Sequence, residues 1–106
     1  MSWVVRIIPA AEAELSALPE DMQARFRRIV EMIQSFGLER MREPYVKHLQ
    51  DGLWEMRLTG RDGISRAIYV TRIGRRVVVV RAFIKKTEKT PPSELRIARQ
   101  RAKEVQ

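Results

Sequence analysis

Residues 53–84 read LWEMRLTGRDGISRAIYVTRIGRRVVVVRAFI, and this stretch decides the fold. Apolar and polar side chains alternate over residues 53–58, as they do in a strand with one buried face. Two further runs, at residues 64–71 and 76–83, are rich in the β-branched residues that strands favour. Because short turns that contain glycine join the three runs, we predict an antiparallel meander.

The sequence before the meander predicts one strand and a helical hairpin. Residues 3–8 are short and β-branched, and Pro9 ends this strand while suiting the first turn of a helix. A second helix begins after Pro19 and reaches Gly37, a residue that commonly ends helices. The apolar residues of this helix recur every three or four positions and form one stripe, which consists of Met22, Phe26, Ile29, Ile33 and Phe36.

The remaining segments complete the predicted fold. Residues 38–52 show no clear period, so we predict a loop there, and the Pro-Pro-Ser sequence at residues 91–93 opens a last helix. The predicted order is β-α-α-β-β-β-α. We therefore expect one α+β domain over residues 1–106, with a small antiparallel sheet whose helices lie on one face.

The composition is that of a folded, soluble chain without disulfides. None of the 106 residues is cysteine, 44% are hydrophobic and 32% are charged, which excludes a disulfide scaffold and thiolate metal sites. No stretch approaches the roughly 20 consecutive apolar residues of a membrane helix. The first residues lack the pattern of a secretory signal. We expect a cytoplasmic protein that does not engage a membrane.

Positive charge is concentrated in the second half of the chain. Residues 1–46 carry six basic and seven acidic side chains, whereas residues 47–106 carry fifteen basic and six acidic ones. The net charge of +8 therefore comes from the C-terminal part. Such asymmetry is typical of proteins that bind a polyanion. A basic surface without a specific ligand accounts for the charge alone equally well.

Several classes of catalytic site lack the residues that they need. The chain has one histidine, His48, and no cysteine, so the usual ligand clusters for a transition metal are absent. The sheet region offers only Glu55 and Asp62 for a carboxylate magnesium site. No glycine-rich run precedes a helix, and a catalytic triad would depend on His48. We expect no metal and no cofactor, and we interpret His48 as an exposed loop residue.

The candidate functional groups are cations on the predicted sheet and just beyond it. They are Lys47, Arg57, Arg66, Arg81, Lys85, Lys86 and Lys89. Alternation places Glu55 and Arg57 on the solvent side of the first meander strand, and Arg66 lies inside the second.

Guanidinium and ammonium groups around a phosphate suit metal-free RNA cleavage, in which the ribose 2′-hydroxyl supplies the nucleophile. Arginine is a poor proton carrier because its pKa is above about 12. A lysine or Glu55 is therefore the candidate for proton transfer. The same cations also suit phosphate binding without chemistry.

Three motifs carry a resemblance to a known family. They are Leu-Trp-Glu-Met-Arg-Leu at 53–58, Gly-Arg-Asp-Gly-Ile-Ser-Arg at 60–66 followed by Tyr69, and Ala-Phe-Ile-Lys-Lys-Thr-Glu-Lys-Thr-Pro at 82–91. The chain resembles the phage-derived, HigB-like branch of the RelE/ParE toxin superfamily over essentially its whole length. The Phe-x-Lys-Lys-Thr stretch before a helix that begins with proline is the most distinctive part.

The resemblance implies the toxin half of a type II toxin–antitoxin pair. Many members cleave mRNA in the ribosomal A site without a metal, and the antitoxin partner is commonly a helix-turn-helix protein. By this resemblance Arg57, Arg66 and Lys86 fall at catalytic positions. The further candidates for contact with RNA are Lys47, Lys85, Lys89 and Tyr69.

The chain departs from the RelE pattern at two points, because its last helix has no tyrosine and Glu55 stands where RelE carries a cation. Two other functions remain open. ParE-like members of the superfamily poison DNA gyrase instead of cutting RNA, and a non-catalytic basic module that binds nucleic acid needs the charge alone.

Overall fold

A computed structural model describes residues 2–105. The elements, in chain order, are β1 (Val4–Ile7), α1 (Pro9–Ser16), α2 (Glu20–Phe36), a 3-10 helix (Leu38–Arg40), β2 (Val46–His48), β3 (Trp54–Gly60), β4 (Gly63–Arg72), β5 (Arg76–Ile84) and α3 (Pro92–Ala102). The α+β class is confirmed, and the predicted strands and helices occur in the predicted order, with one additional strand, β2. The predicted loop at 38–52 is wrong in part, since it contains the 3-10 helix and the short strand β2.

The sheet has five strands in the order β1-β5-β4-β3-β2. The predicted meander is confirmed, because β3, β4 and β5 pair antiparallel and in sequence. The prediction of a purely antiparallel sheet is wrong, since β1 pairs parallel with β5. The polypeptide between these two strands contains the helical hairpin and strands β2, β3 and β4, which is the long connection that parallel pairing requires.

Helices cover both faces of the sheet, so the prediction that they share one face is wrong. We call the first face the hairpin face: α1 and α2 bury Met56, Leu58 and Val79 there in the larger apolar core. We call the other the α3 face: α3 places Ala98 against Val78 and other residues of a second, smaller core. A short helix with small apolar side chains suffices there because β4 and β5 supply the bulk of that core.

The apolar stripe of α2 is confirmed over most of its length. Met22, Phe26, Ile29 and Ile33 are buried, but Phe36, which was predicted to share the stripe, is 63% exposed. Phe36 is the last residue of α2, and the chain leaves the helix at Gly37 with a φ of +90°. A non-glycine residue would be strained in this conformation.

A carboxylate from α1 forms a hydrogen bond with the part of the β5 edge that β1 leaves unpaired. β1 pairs with residues 76–79, so the outer edge of β5 is open beyond them. Glu14 accepts hydrogen bonds there from the Ala82 N–H at 3.1 Å and from Arg101 at 2.9 Å, and it also pairs with Arg81. Arg81 in turn contacts Glu94 of α3 at 2.6 Å. This network joins helices on opposite faces of the sheet.

We expect Glu14→Gln to remove an acid-sensitive part of the stability. Burial opposes ionisation of Glu14, but the hydrogen bonds from Arg101 and Ala82 and the charge of Arg81 outweigh it, so its pKa lies below the ordinary 4.5. A lowered folded-state pKa means that this stabilisation is present above about pH 4.5 and is lost as the pH falls through the folded value.

Urea unfolding at a series of pH values measures this effect. Near neutral pH, Glu14→Gln should lower the free energy of unfolding by about 1–3 kcal/mol, and the difference from wild type should shrink as the pH falls below 4.5. Glu12→Gln is the matched control, because Glu12 is an exposed carboxylate on the same helix. A difference that stays constant with pH would contradict the assignment.

Candidate functional site

Strand register brings four of the predicted site residues together on the α3 face. Arg57 of β3 is directly opposite Arg66 of β4, and Lys47 of β2 is directly opposite Glu55 of β3. Residues paired across antiparallel strands point to the same side of the sheet. Glu55 and Arg57 are two positions apart on one strand and therefore also share that side. The predicted alternation of β3 is confirmed, with Met56 and Leu58 on the hairpin face.

Arg66 is buried, with 2% of its surface exposed. Its Nε lies 2.8 Å from Glu55 Oε2 in an ion pair that lacks the alignment of a hydrogen bond. Its Nη1 donates to Thr90 Oγ1 at 2.6 Å, and its Nη2 donates to the Glu88 carbonyl at 2.9 Å. All three guanidinium nitrogens thus have partners within the chain. The expectation that Arg66 lies inside its strand is confirmed, but in this arrangement the side chain cannot touch a substrate.

Glu55 is the counter-charge of this buried group, and it is 1% exposed. The sequence predicted that Glu55 faces solvent, which is wrong: Glu55 is buried, pairs with the Arg66 side chain and accepts a hydrogen bond from Thr90. Burial raises the pKa of Glu55, while the positive charges of Arg66, Arg57 and Lys47 act in the opposite direction. A carboxylate enclosed in this way influences the site through its charge and does not reach a substrate proton.

Arg57 is half-buried and differs sharply from Arg66. Its Nε is buried and has no hydrogen-bond partner among residues 2–105. Like charges directly opposite each other in a sheet are destabilising, and Arg57 faces Arg66 in this way. Lys47, Arg57 and Arg66 together face one carboxylate, Glu55, so these four residues form a surface with an excess of positive charge, which we call the cationic patch. Arg57 is therefore the residue that is best placed to bind an anion.

The lysines after β5 do not all lie on this patch. Phe83 packs in the core of the α3 face, so alternation directs Lys85 to the same side, and the Lys85 N–H continues the ladder by donating to the Ile64 carbonyl at 2.8 Å. Lys86 instead lines a cavity of about 390 Å³ with Ile84 and Glu94. Lys89 is exposed on the connection to α3. Alternation thus places Lys85 on the same side of the sheet as Arg57.

Two other predicted residues lie on the hairpin face. Tyr69, a predicted RNA contact, is 1% exposed and stacks near Trp54 with ring centroids 6.5 Å apart. Burial raises its pKa. A side chain enclosed in this core cannot stack on a base, so the structure does not bring Tyr69 to the cationic patch. His48 is exposed, as predicted, but it lies on β2 and packs edge-on against Trp54 at 4.9 Å.

No local sequence pattern indicated Thr90 or the Glu88 carbonyl as partners of Arg66. They belong to a polar segment with no period, 24 and 22 residues from Arg66. The available signal was indirect: an arginine inside a strand must be paired, because an unpaired buried charge is costly. Arg81, another predicted candidate, forms ion pairs with Glu14 and Glu94 and does not belong to the patch.

The patch consists of cations and one enclosed carboxylate, and this defines its chemistry. It suits binding of a phosphate group by Arg57, with Lys47 and Lys85 near it. Residues 2–105 contain no group of three or more His, Cys, Asp or Glu side chains arranged to hold a metal ion. Within the same described range, no helix has both the length and the apolar character needed to cross a membrane.

Comparison with known proteins relates this fold to a family and to two solved structures. Residues 13–103 match the family described as phage derived protein Gp49-like, or DUF891. The E. coli toxin RelE, as a mutant in the free state, aligns with a TM-score of 0.65 at 12% identity over 100% of each chain. A chain of the archaeal RelE–RelB complex from Pyrococcus horikoshii aligns with a TM-score of 0.57 at 22% identity, over 79% of this chain and 96% of that one. No curated protein sequence matches the chain significantly. These likenesses establish a RelE-like fold.

Removal of Arg66 and removal of Arg57 should have different effects on stability, because the first is buried and paired and the second is half-buried and unpaired within the described residues. We expect Arg66→Ala to lower the free energy of unfolding by about 3–5 kcal/mol, because it leaves Glu55 buried without its partner. Arg57→Ala should change it by less than about 1 kcal/mol, since it also removes a like-charge contact. Urea unfolding near neutral pH measures both, with the exposed Arg28→Ala on α2 as the control for loss of charge. Equal stability of Arg66→Ala and Arg28→Ala would contradict the structural role of Arg66.

Proposed function

We propose that this chain, which belongs to the family of phage-derived Gp49-like proteins, is the toxin of a type II toxin–antitoxin pair. We further propose that this toxin cleaves mRNA on the ribosome. The RelE-like fold and the resemblance of residues 53–58, 60–66 and 82–91 to HigB-like toxins support this proposal. The family and the fold alone are also compatible with a gyrase poison. The geometry of the cationic patch favours RNA cleavage.

The observation that carries the proposal is the state of Arg57. Its guanidinium is half-buried, its Nε is unpartnered within the described residues, and it lies opposite a second arginine. A partly enclosed charge that lacks an internal partner favours binding of an anion, because Coulomb attraction is stronger there than in open water. A surface used only for nonspecific attraction of nucleic acid would not require a partly buried guanidinium.

The proposed reaction uses groups that the RNA itself supplies. The ribose 2′-hydroxyl gives up its proton to solvent as its oxygen attacks the adjacent phosphorus. The bond from phosphorus to the 5′-oxygen breaks, and that oxygen takes a proton from solvent, so the products are a 2′,3′-cyclic phosphate and a 5′-hydroxyl. The protein must hold the attacking and leaving oxygens in line and neutralise charge that develops on the phosphate oxygens. We assign that neutralisation to Arg57 and binding of the flanking backbone to Lys47, Lys85 and Lys89. No metal enters this scheme.

The other candidates take roles different from those predicted from the sequence. Arg66 and Glu55 are both buried, and we propose that they stabilise the site without contacting the substrate. Lys86, which lines a cavity beside Glu94, is assigned a secondary contact at most. Arg57 is the one residue of the three implied catalytic positions for which we propose direct contact with the reacting phosphate.

We expect Arg57→Ala to lower the rate of ribosome-dependent mRNA cleavage by about 10²–10³, the usual loss for one preorganised donor at a developing charge. Arg57→Lys should restore little, because an ammonium does not reproduce the planar, bidentate grip on phosphate oxygens. The measurement is a reconstituted translation reaction with primer-extension mapping of mRNA ends. Arg28→Ala, which removes an exposed arginine from the hairpin side, is the matched control.

Two outcomes would overturn the proposal. Full cleavage by a folded Arg57→Ala protein would remove Arg57 from the mechanism. Intact mRNA together with inhibition of DNA supercoiling by the wild-type protein would establish the gyrase-directed alternative.

We also propose an acidic antitoxin partner, of the helix-turn-helix type that the resemblance implies. The fifteen basic and six acidic residues from 47 to 106 would attract polyanions indiscriminately if they stayed uncovered. We expect the product of the adjacent reading frame to co-purify with the chain and to suppress cleavage, and we expect high salt to weaken the complex. An unrelated acidic protein of similar size is the control. Absence of a stable complex would contradict this part of the proposal.

A further inference from the structure

We infer that Thr90 is a positioning residue: its hydroxyl ties residues 85–91 to the buried Arg66–Glu55 pair and thereby fixes the position of the neighbouring Lys89 relative to Arg57. We call residues 85–91 the bridging segment, since they connect β5 to α3. The effect on cleavage rests on the proposed function. The effect on the position of the bridging segment does not, so the two can be tested separately.

The Thr90 hydroxyl lies between the two charged groups of the buried pair. Its Oγ1 accepts a hydrogen bond from Arg66 Nη1 at 2.6 Å and donates one to Glu55 Oε1 at 3.4 Å. The first of these bonds is charge-assisted and lies in an enclosed setting, where such bonds are strong. A hydroxyl is suited to this place because it acts as donor and acceptor at once.

Few polar contacts hold the bridging segment on the sheet. The Lys85 N–H bonds to the Ile64 carbonyl at its start. Between that point and α3, every hydrogen bond from the described residues that joins the segment to the sheet involves Arg66 or Glu55. The hydroxyl of Thr87 bonds within the segment, to the Lys89 carbonyl. The segment is therefore attached where Arg66 reaches it, and Thr90 supplies the side-chain half of that attachment.

The attachment has a consequence for the proposed RNA site. Lys85 and Lys89 lie on the same segment as Thr90, and Arg57 lies beside Arg66 in the sheet register. If the segment is released, Arg57 stays in place on β3 and Lys85 keeps its bond to Ile64, but Lys89 loses its fixed position relative to Arg57. RNA binding would then have to order the segment again, which weakens binding. Loss of the Thr90 hydroxyl should therefore raise KM more than it lowers kcat.

The experiment compares Thr90→Val with Thr90→Ser. Valine has nearly the shape of threonine but no hydroxyl, whereas serine keeps the hydroxyl. The first readout is limited trypsin digestion, since the bonds after Lys85, Lys86 and Lys89 lie in the bridging segment. We expect Thr90→Val to speed cleavage at these bonds by about tenfold, the effect of losing one charge-assisted hydrogen bond on an opening equilibrium. Thr90→Ser should be close to wild type.

Thr87→Val is the matched control, because it removes a hydroxyl from the same segment without touching the Arg66–Glu55 pair. If Thr90→Val does not fold, as judged by circular dichroism, Thr90→Ala takes its place in the comparison. Equal trypsin rates for folded Thr90→Val and wild type would overturn the inference. Equal rates for the valine and serine variants at position 90 would overturn it as well.

The second readout is mRNA cleavage on the ribosome. We expect Thr90→Val to raise KM several-fold with kcat nearly unchanged, and Thr90→Ser to restore KM. A fall in kcat at unchanged KM would overturn the positioning role. If the wild-type protein cleaves no mRNA, the proposed function fails, and the trypsin comparison still decides whether Thr90 holds the segment.

Discussion

The ion pair between Arg66 and Glu55, enclosed on the α3 face of the sheet, is the interaction on which the rest of the structure depends. Two charges at 2% and 1% exposure carry a large desolvation cost, which their mutual attraction offsets only when the remaining polar atoms also have partners. The chain meets this requirement by bringing Thr90 and the Glu88 carbonyl over the pair. The path of the chain between β5 and α3 thus follows from the need to satisfy one guanidinium.

The two arginines that the strand register places opposite each other have different roles in this arrangement. Arg66 is neutralised by Glu55 and fully engaged within the chain, whereas Arg57 has an unpartnered buried nitrogen within the described residues and an accessible remainder. The fold resembles that of RelE at 12% identity, which relates the backbones and not the side chains. Residue roles must therefore be argued from contacts, and the contacts separate a structural arginine from one that is available to a ligand.

The sequence predicts the local parts of this architecture well and the distant parts poorly. The meander can be predicted because alternation and glycine turns are local signals in the sequence. Most of the apolar stripe of α2 can be predicted for the same reason. Parallel pairing of β1 with β5 joins segments about seventy residues apart, and β2 has three residues, too few for a period. The face chosen by α3 depends on which side of the sheet remains apolar. Burial of Tyr69 and the partners of Arg66 likewise depend on tertiary neighbours.

The opposition of Arg57 and Arg66 also links binding to stability. Glu55 offsets part of the repulsion between them, but three cations surround that one carboxylate. An anion bound at Arg57 would supply the missing negative charge in a partly enclosed place, where Coulomb interactions are stronger than in water. Because a ligand that binds the folded state raises its stability in proportion to RT ln(1 + [L]/Kd), the same contact would both recognise a phosphate and relieve a destabilising pair. The excess of positive charge on this face is thus a source of the affinity that the site needs, and the pairing of Arg66 with Glu55 leaves Arg57 as the cation available to the anion.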